Sequence, residues 1–310
     1  MRWAEVKPHL QSIDSFSQYL SIDRGTLYRL ARTGSRYYRR DEDEKSDGRI
    51  RVYYKPWGEL KRVQSLIHKK ILVCAPFHKS IHGYRKGRSQ CTAAAPHSGK
   101  PMLLKADVRD FFPSIKPLAV YKAFRQIGVP DQVSRLIVKL CAHENQLPQG
   151  APTSPLISNL IWGKPARRIQ GFSDQQLFDS TILGDDVFVS GARRAGKYKN
   201  LLKRIIQEEG LVVNERKTQA LPNTTRQVAA GLVVNKRPNV KKEYRRAVRQ
   251  VLHHRASRTQ GGLAAAYSGP NKSSLAGMIA FVKHINPSQG QKLQREFDRI
   301  DWEEGKKGVQ

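Results

Sequence analysis

The chain has 310 residues, with 56 lysines and arginines against 26 aspartates and glutamates, a formal net charge of +30 and a pI near 10.3. So large a positive excess implies a polyanionic partner, with nucleic acid as the leading candidate and an anionic membrane surface as the alternative. No apolar stretch approaches the ~20 residues of a membrane span, and the N-terminus lacks the apolar core of a signal peptide. The three cysteines have neither metal-ligand spacing nor an even disulfide set. We therefore expect a reduced, cytoplasmic protein without a membrane partner.

The first segment is predicted to be helical. Apolar residues recur at helical spacing over 9–32, and Asp23 with Thr26 can begin a second short helix. We interpret residues 1–40 as a helical lead-in that packs against the rest of the chain and carries no chemistry.

A basic β-hairpin follows. Asp47-Gly48 lies between two short runs and is a strong turn signal. Lys45, Arg49 and Arg51 would then lie on the arms of the hairpin, which suits a structure that reaches over a triphosphate. The alternative is an edge strand kept charged against aggregation.

A glycine-containing basic segment, His82 to Ser89, comes next. Its glycines let the backbone approach a ligand closely. Arg85, Lys86 and Arg88 could contact phosphates, and Tyr84 could stack on a base.

The run 103–115 predicts a short buried strand that ends near Asp107, followed by two aromatic residues and a proline. Helices are predicted over 117–143, with an interruption at Pro130. In the run 147–155, three prolines stiffen a loop and Gly150 permits a close approach.

The stretch 181–189 places Asp185 and Asp186 at a glycine-bearing turn between apolar arms, which predicts a β-hairpin with an acidic tip. Adjacent carboxylates raise each other's pKa and are costly unless a cation neutralises them, and Mg²⁺ prefers such oxygen ligands. An ordinary solvated turn is the alternative, because turns favour aspartate. If Asp107 lies beside this tip, the three carboxylates can hold two metal ions for in-line phosphoryl transfer.

Beyond the hairpin we predict a helix over 197–209, a strand over 211–218 and a strand over 227–235. The region 238–302 is predicted as three helices, of which the second spans 272–285 and the third 289–302. Basic residues crowd the first of these helices, and contacts between such residues and phosphates give affinity without sequence information.

Asp107 with the run 111–115, the run 147–155 and Gly184-Asp185-Asp186 together resemble, in order and spacing, the polymerase core of reverse transcriptases. The details are most similar to bacterial retron enzymes, with group II intron enzymes next. Leu183 stands where these enzymes usually have tyrosine. Two retron signatures are also altered, at Ala93 and at Ala229-Ala230-Gly231.

The resemblance implies an α+β, right-hand polymerase fold with fingers, a palm built on an antiparallel sheet with helices, and a helical thumb. We expect the fingers over 41–106, the palm (with part of the fingers) over 107–235 and an RNA-binding thumb over 236–310.

It also implies the roles of individual residues. Asp107, Asp185 and Asp186, with the backbone carbonyl of Val108, would hold two Mg²⁺ ions as cofactors. Lys217 resembles the lysine that could protonate the departing pyrophosphate, although a surface lysine is an equally good interpretation.

Arg51, with Lys45, would contact the phosphates of the incoming nucleotide. Phe112 would pack against its sugar and select deoxynucleotides, and Gln149 would lie near the template base and that sugar. The residues expected to contact nucleic acid are Arg85, Arg88, Arg245, Arg246 and Arg249.

The implied activity is RNA-directed DNA synthesis from dNTPs, with a cognate structured noncoding RNA as template and primer and RNA-linked single-stranded DNA (msDNA) as product. The resemblance further implies anti-phage defence with an effector protein encoded nearby. Two alternatives stay open: another stand-alone or group II-like defence reverse transcriptase, and a catalytically weak RNA-binding relative. The about 75 residues after the palm are expected to leave no room for an RNase H or endonuclease domain of ordinary size.

Overall fold

Three short helices open the computed structural model, which describes residues 2–44, 48–259, 269–300 and 302, with the backbone alone at 257–259. They are α1 (Trp3–Val6), α2 (Ile13–Leu20) and α3 (Arg24–Thr33). Asp23 caps α3 by accepting the Thr26 N–H at 2.8 Å, as the sequence predicted. The buried faces of these helices join the main hydrophobic core, so the lead-in packs directly on the rest of the protein.

The predicted basic hairpin is present. Strands β1 (Tyr38–Glu44) and β2 (Ile50–Pro56) pair antiparallel, with Tyr38 opposite Pro56 and Glu44 opposite Ile50. Its turn and the candidate Lys45 lie outside the described residues.

Helix α4 (Gly58–Leu66) follows and continues through a π-helical turn, Ile67–Ile71, into a 3₁₀ turn, Leu72–Cys74. The next helix is α5 (Gln90–Ala94), which begins after the glycine-containing basic segment.

A four-stranded antiparallel sheet forms the centre of the molecule. Its strands are β3 (Met102–Asp107), β4 (Asp179–Leu183), β5 (Asp186–Gly191) and β6 (Gln219–Pro222), in the order β4-β5-β3-β6. The register of β3 and β5 sets Met102 opposite Gly191 and Asp107 opposite Asp186. Two segments that are distant in the sequence therefore bring their acidic residues together at one end of the central strands.

Six further helices of the described chain share the main hydrophobic core with this sheet. They are α6 (Phe111–Ser114), α7 (Pro117–Gln126), α8 (Asp131–Cys141), α9 (Ser154–Ile161), α10 (Gly163–Gln176) and α11 (Lys199–Gln207). The mixture of helices with an antiparallel sheet is the α+β class that the sequence predicted.

Two predicted strands are wrong. The segment 211–218 makes only one bridge, between Val213 and Val108, and the sheet resumes at Gln219. The segment 227–235 is a small separate hairpin of β7 (Val228–Ala229) and β8 (Leu232–Val233). Ala230 (φ 50°) and Gly231 (φ 81°) both have positive φ, as a type I′ turn requires, so the chain reverses where a continuous strand was expected.

The C-terminal region contains α12 (Lys242–Thr259), α13 (Lys272–Ile285) and α14 (Pro287–Asp298). The second matches its predicted bounds, and the third begins two residues early because Pro287 suits a first helical turn. These helices share a hydrophobic cluster of their own, which includes Val248, Leu275 and Ile279. Among the described residues, no helix combines the length and the apolar character needed to cross a membrane.

Candidate active site

The acidic tip of the β4–β5 hairpin is held from three sides. Its two-residue turn, Gly184-Asp185, has Gly184 at φ 63°, a backbone conformation that favours glycine. The Trp162 indole N–H donates to the Gly184 carbonyl at 2.8 Å, and the Val108 N–H donates to the Asp185 carbonyl at 3.0 Å. The His82 N–H donates to the Ile182 carbonyl at 2.8 Å. The carboxylates therefore project from a fixed backbone.

The three aspartates occupy one end of the sheet. Asp107 and Asp186 are direct cross-strand partners, and Asp185 lies in the turn immediately before Asp186. Side chains of directly opposite residues lie on the same face, with Cβ atoms about 4.5–5.5 Å apart. Asp107 is 4% exposed and Asp186 is half-buried, whereas Asp185, at the tip of the turn, is exposed.

Two lysines neutralise part of this charge. Lys217 Nζ lies 3.2 Å from Asp107 Oδ2, and Lys105 Nζ lies 3.0 Å from Asp186 Oδ1. Burial raises the pKa of Asp186 to about 6, against the lowering effect of Lys105. Partial desolvation by the surrounding protein also raises the pKa of Asp185, and the nearby Asp107 carboxylate adds to that rise.

The donor set suits a hard divalent cation. Apart from its ion pair with Lys105, the buried Oδ1 of Asp186 has no hydrogen-bond partner in the described part of the chain. Carboxylate oxygens are the ligands that Mg²⁺ prefers, and a cation would stabilise the charged form of carboxylates whose pKa values are raised by desolvation and, to a smaller extent, by mutual repulsion. As the side chains stand, no group of three or more Asp, Glu, His or Cys residues within the described ranges is arranged to hold a metal ion.

A cavity of about 590 Å³ opens above the acids. It joins the β1–β2 hairpin, the end of β3 and the turn of the β4–β5 hairpin. The predicted site residues that line it are Arg49, Arg51, Tyr84, Asp107, Val108, Phe112, Gln149, Asp185 and Lys217. Asp186 is not among the lining residues, because its carboxylate is turned to Lys105.

The two phenylalanines after Asp107 have different surroundings. Phe111 also borders the cavity, but it is 5% exposed and packs near Trp162, with ring centroids 5.7 Å apart. Phe112 is half-buried and lines the cavity. Asp110 adopts φ 45°, which turns the chain from β3 into the short helix that carries both rings.

The candidate nucleic-acid contacts lie in two regions. Arg85 donates to the carbonyls of His78 and Ile81 at 2.9 and 2.7 Å, so its guanidinium closes its own loop, whereas Arg88 is exposed. On α12, the Arg245 guanidinium donates to Gln289 at 2.8 Å. Arg246 and Arg249 are exposed on the same helix.

Sequence reasoning missed Lys105 and Trp162. Lys105 lies two residues before Asp107, so the alternation of a strand places both side chains on one face, and that signal was available. Trp162 follows α9 and reaches the hairpin tip only through the tertiary fold. His97, given no catalytic role from the sequence, is buried between Thr181 and Ser190, with a ring nitrogen 2.7 Å from each hydroxyl oxygen.

Residues 44–241 match the family model described as "Reverse transcriptase (RNA-dependent DNA polymerase)". The Retron Ec86 reverse transcriptase of Escherichia coli is 32% identical over 252 residues, which cover 80% of this chain and 79% of that relative. The Retron Mx65 reverse transcriptase of Myxococcus xanthus is 30% identical over 271 residues, which cover 81% of this chain and 62% of that relative. Among solved structures, a Candida tropicalis telomerase in complex with a fragment of telomeric RNA has a TM-score of 0.48 and 10% identity, covering 90% of this chain and 58% of that one. The chain thus spans about four fifths of the first relative and three fifths of the second.

Proposed function

The chain belongs to the bacterial retron-type reverse transcriptases, and from that membership we propose that it copies a cognate noncoding RNA into DNA by two-metal nucleotidyl transfer. The family supplies the enzyme class, an RNA-directed DNA polymerase with the right-hand fold. The observation that supports the mechanism is the pairing of Asp107 with Asp186, because it brings three acids from two separate segments to one end of the sheet, where Asp107 and Asp185 line the cavity.

The acids would hold the metal. Asp107, Asp185 and Asp186, with the Val108 carbonyl, are the proposed ligands of two Mg²⁺ ions. When bound, such ions lower the pKa of the primer hydroxyl and neutralise charge on the triphosphate and the leaving pyrophosphate.

The remaining residues of the cavity would bind and orient the nucleotide. Arg51 projects into the cavity from β2, where it can pair with triphosphate oxygens. Phe112 lies on the cavity wall at the place proposed for the sugar. The Gln149 carbonyl accepts the Tyr54 N–H at 2.8 Å, which fixes the Gln149 loop against the β1–β2 hairpin.

Lys217 is the proposed general acid. Its Nζ faces the cavity while it contacts Asp107 at 3.2 Å, and a protonated amine there can give a proton to pyrophosphate as it departs. Release of Asp107 from this lysine would free the carboxylate for a cation.

The substrates and partners follow the retron relatives. We propose that a structured noncoding RNA serves as template and primer, that dNTPs are polymerised, and that the product is RNA-linked single-stranded DNA. A cytoplasmic role in anti-phage defence, with an effector protein, belongs to the same proposal. The exposed basic side chains of α12 are the surface best suited to the RNA.

Primer extension tests the activity. The purified protein, given a primed RNA template, dNTPs and Mg²⁺, is expected to make DNA, to accept ribonucleotides poorly and to stop when the cation is chelated. RNA binding without any DNA product on several primed templates would instead support the alternative of a catalytically weak RNA-binding relative.

The nucleic acid that co-purifies with the protein tests the retron assignment. Sequencing is expected to find DNA complementary to part of one RNA and joined to it through a 2′-hydroxyl. DNA free of any RNA linkage would favour another stand-alone or group II-like class.

A further inference from the structure

Tyr84 combines three features that rarely occur together in one residue. Its backbone is left-handed, at φ 58°, a region that bulky residues rarely occupy. Its side chain is 51% exposed, and it lines the cavity above the acids. Residues held in sparsely populated backbone regions persist only where their surroundings fix them, and they cluster at ligand-binding sites.

Both neighbours of Tyr84 are fixed. The Gly83 carbonyl accepts a hydrogen bond from the Asn159 side-chain amide at 2.7 Å. A Cβ added to Gly83 would lie 2.9 Å from the Gly184 nitrogen, so this backbone lies directly against the acidic hairpin. On the other side, Arg85 is tied to the carbonyls of His78 and Ile81. The loop therefore directs Tyr84 towards the cavity.

The phenol end of Tyr84 lies against the Gly184 turn. A Cβ built on Gly184 would lie 3.4 Å from the Tyr84 hydroxyl oxygen. The ring centroid of Tyr84 is 6.5 Å from that of Phe112, the residue proposed to face the nucleotide sugar. Tyr84 thus packs on the turn that carries Asp185 and leaves about half of its surface open to the cavity.

We propose that Tyr84 is a substrate-contacting residue whose ring packs on the base or sugar of a nucleotide held above Asp185. The nucleotide is either the primer terminus or the incoming dNTP, since both would present the same aromatic and sugar surfaces. The inference rests on the proposed polymerase function and adds a residue to its substrate site. A residue that served packing alone would gain nothing from an open ring on a strained backbone at the mouth of a cavity.

Asparagine tolerates the left-handed conformation, so Tyr84→Asn removes the ring while keeping the backbone. Tyr84→Phe keeps the ring. The matched control is Leu177→Asn, because Leu177 has φ 56° and 86% exposure at the end of α10, outside the cavity lining. The measurements are the Kd for primed template, and KM and kcat for a dNTP, below the melting temperature of every variant.

Tyr84→Asn is expected to raise either the Kd for primed template or the KM for the dNTP on the order of tenfold, because base–aromatic stacking has that magnitude. A rise in Kd identifies the primer terminus, and a rise in KM identifies the incoming nucleotide. Leu177→Asn is expected to match the wild type, and Tyr84→Phe, which keeps the ring, is expected to lie closer to the wild-type constant than Tyr84→Asn does. Equal constants for Tyr84→Asn and Leu177→Asn would overturn the inference.

Photocrosslinking gives a readout that needs no catalysis. One arm places 5-iododeoxyuridine at the primer terminus, and the other supplies 5-iododeoxyuridine triphosphate to a bound primed template. An adduct on the peptide that contains Tyr84, absent from Tyr84→Asn, is expected in one arm, and its absence from both arms would contradict the proposal. A wild-type protein that makes no DNA refutes the proposed function, whereas an active wild type with an equally active Tyr84→Asn refutes only this inference.

Discussion

At the scale of single residues, Phe112 is the side chain whose role can be separated most cleanly from folding. Phe112→Val should open space beside the sugar and raise the use of ribonucleotides relative to deoxynucleotides on the order of 10- to 100-fold. The measurement is the ratio of kcat/KM for dATP and ATP on one primed template.

The neighbouring phenylalanine provides the control. Phe111 borders the same cavity but is buried, so Phe111→Ala should lower the free energy of unfolding by roughly 3–5 kcal/mol and change the nucleotide ratio far less than Phe112→Val does. A Phe112→Val enzyme with the wild-type ratio would remove this residue from the sugar site.

Residue identity at the acidic centre was predictable where the signal is local. Asp185-Asp186 at a glycine turn, and Asp107 at the end of an apolar run, are legible in the sequence. The position of Arg85 was not, because its hydrogen bonds to backbone carbonyls depend on how the loop closes. Strand alternation predicts the face on which Lys105 lies, but its contact with Asp186 crosses between two strands and depends on their register.

At the scale of elements, the hairpin tip depends on its close contact with Gly83. In Gly83→Ala the new methyl group would lie 2.9 Å from the Gly184 nitrogen, and the turn would have to move. Because misplacement by about 1 Å can cost on the order of 100-fold in rate, we expect a loss of that size in primer extension.

Gly171→Ala is the matched control. Gly171 lies in α10 with open space around its added methyl group, so this change should preserve activity and stabilise the helix by roughly 0.5–1 kcal/mol. Full activity in Gly83→Ala would show that the turn does not need this approach.

His97 should make the stability of the β4–β5 hairpin depend on pH. Burial lowers the pKa of His97 to about 4, below the ~6.5 of an unfolded chain. Between these values the unfolded chain binds a proton that the folded protein excludes, so the free energy of unfolding falls as pH falls from about 6.5 towards 4, by up to about 3 kcal/mol.

Urea unfolding at pH 7 and pH 5 measures this effect. His97→Gln should reduce the pH dependence, although His82, whose pKa burial also lowers to about 4, retains part of it. His284→Gln, on the exposed face of α13, is the control and should keep the wild-type slope. An unchanged slope in His97→Gln would contradict the assignment.

Elements with clear periodicity or turn chemistry were predicted well, and those without it were not. The bounds of α13 and the pairing of β1 with β2 followed from pattern alone. The segment 211–218 has the composition of a strand, yet it pairs only at Val213, since Val212 is half exposed and the next residues turn. Whether an apolar run joins a sheet depends on the partners available to it, which sequence alone does not supply.

At the scale of the whole molecule, the charge of +30 should appear as salt-dependent RNA binding. Arg246 and Arg249 are exposed on α12, so replacing both with alanine should weaken binding and reduce the slope of log K against log salt by roughly 1.4–2. The measurement is a titration of the RNA at several salt concentrations.

Arg24→Ala tests whether any lost positive charge has this effect. Arg24 pairs with Asp14 on the N-terminal helices, and its removal should leave the salt slope nearly unchanged. Equal slopes for the α12 double variant and the wild type would place the RNA on another surface.

The domain boundaries at 40, 106 and 235 stay predictions, and β3, which begins at Met102, already belongs to the sheet assigned to the palm.

The shared acidic centre is tested most directly by single-nucleotide incorporation in Mg²⁺ on a primed RNA, compared among the wild type, Asp107→Asn, Asp185→Asn and Asp174→Asn. Asp174 is exposed on α10 outside the cavity lining, so its variant controls for the loss of one carboxylate. We expect Asp107→Asn and Asp185→Asn to bind the primed RNA and incorporate nothing measurable, while Asp174→Asn matches the wild type. Incorporation at the wild-type rate by either Asp107→Asn or Asp185→Asn would contradict a catalytic centre built from the end of β3 and the turn between β4 and β5.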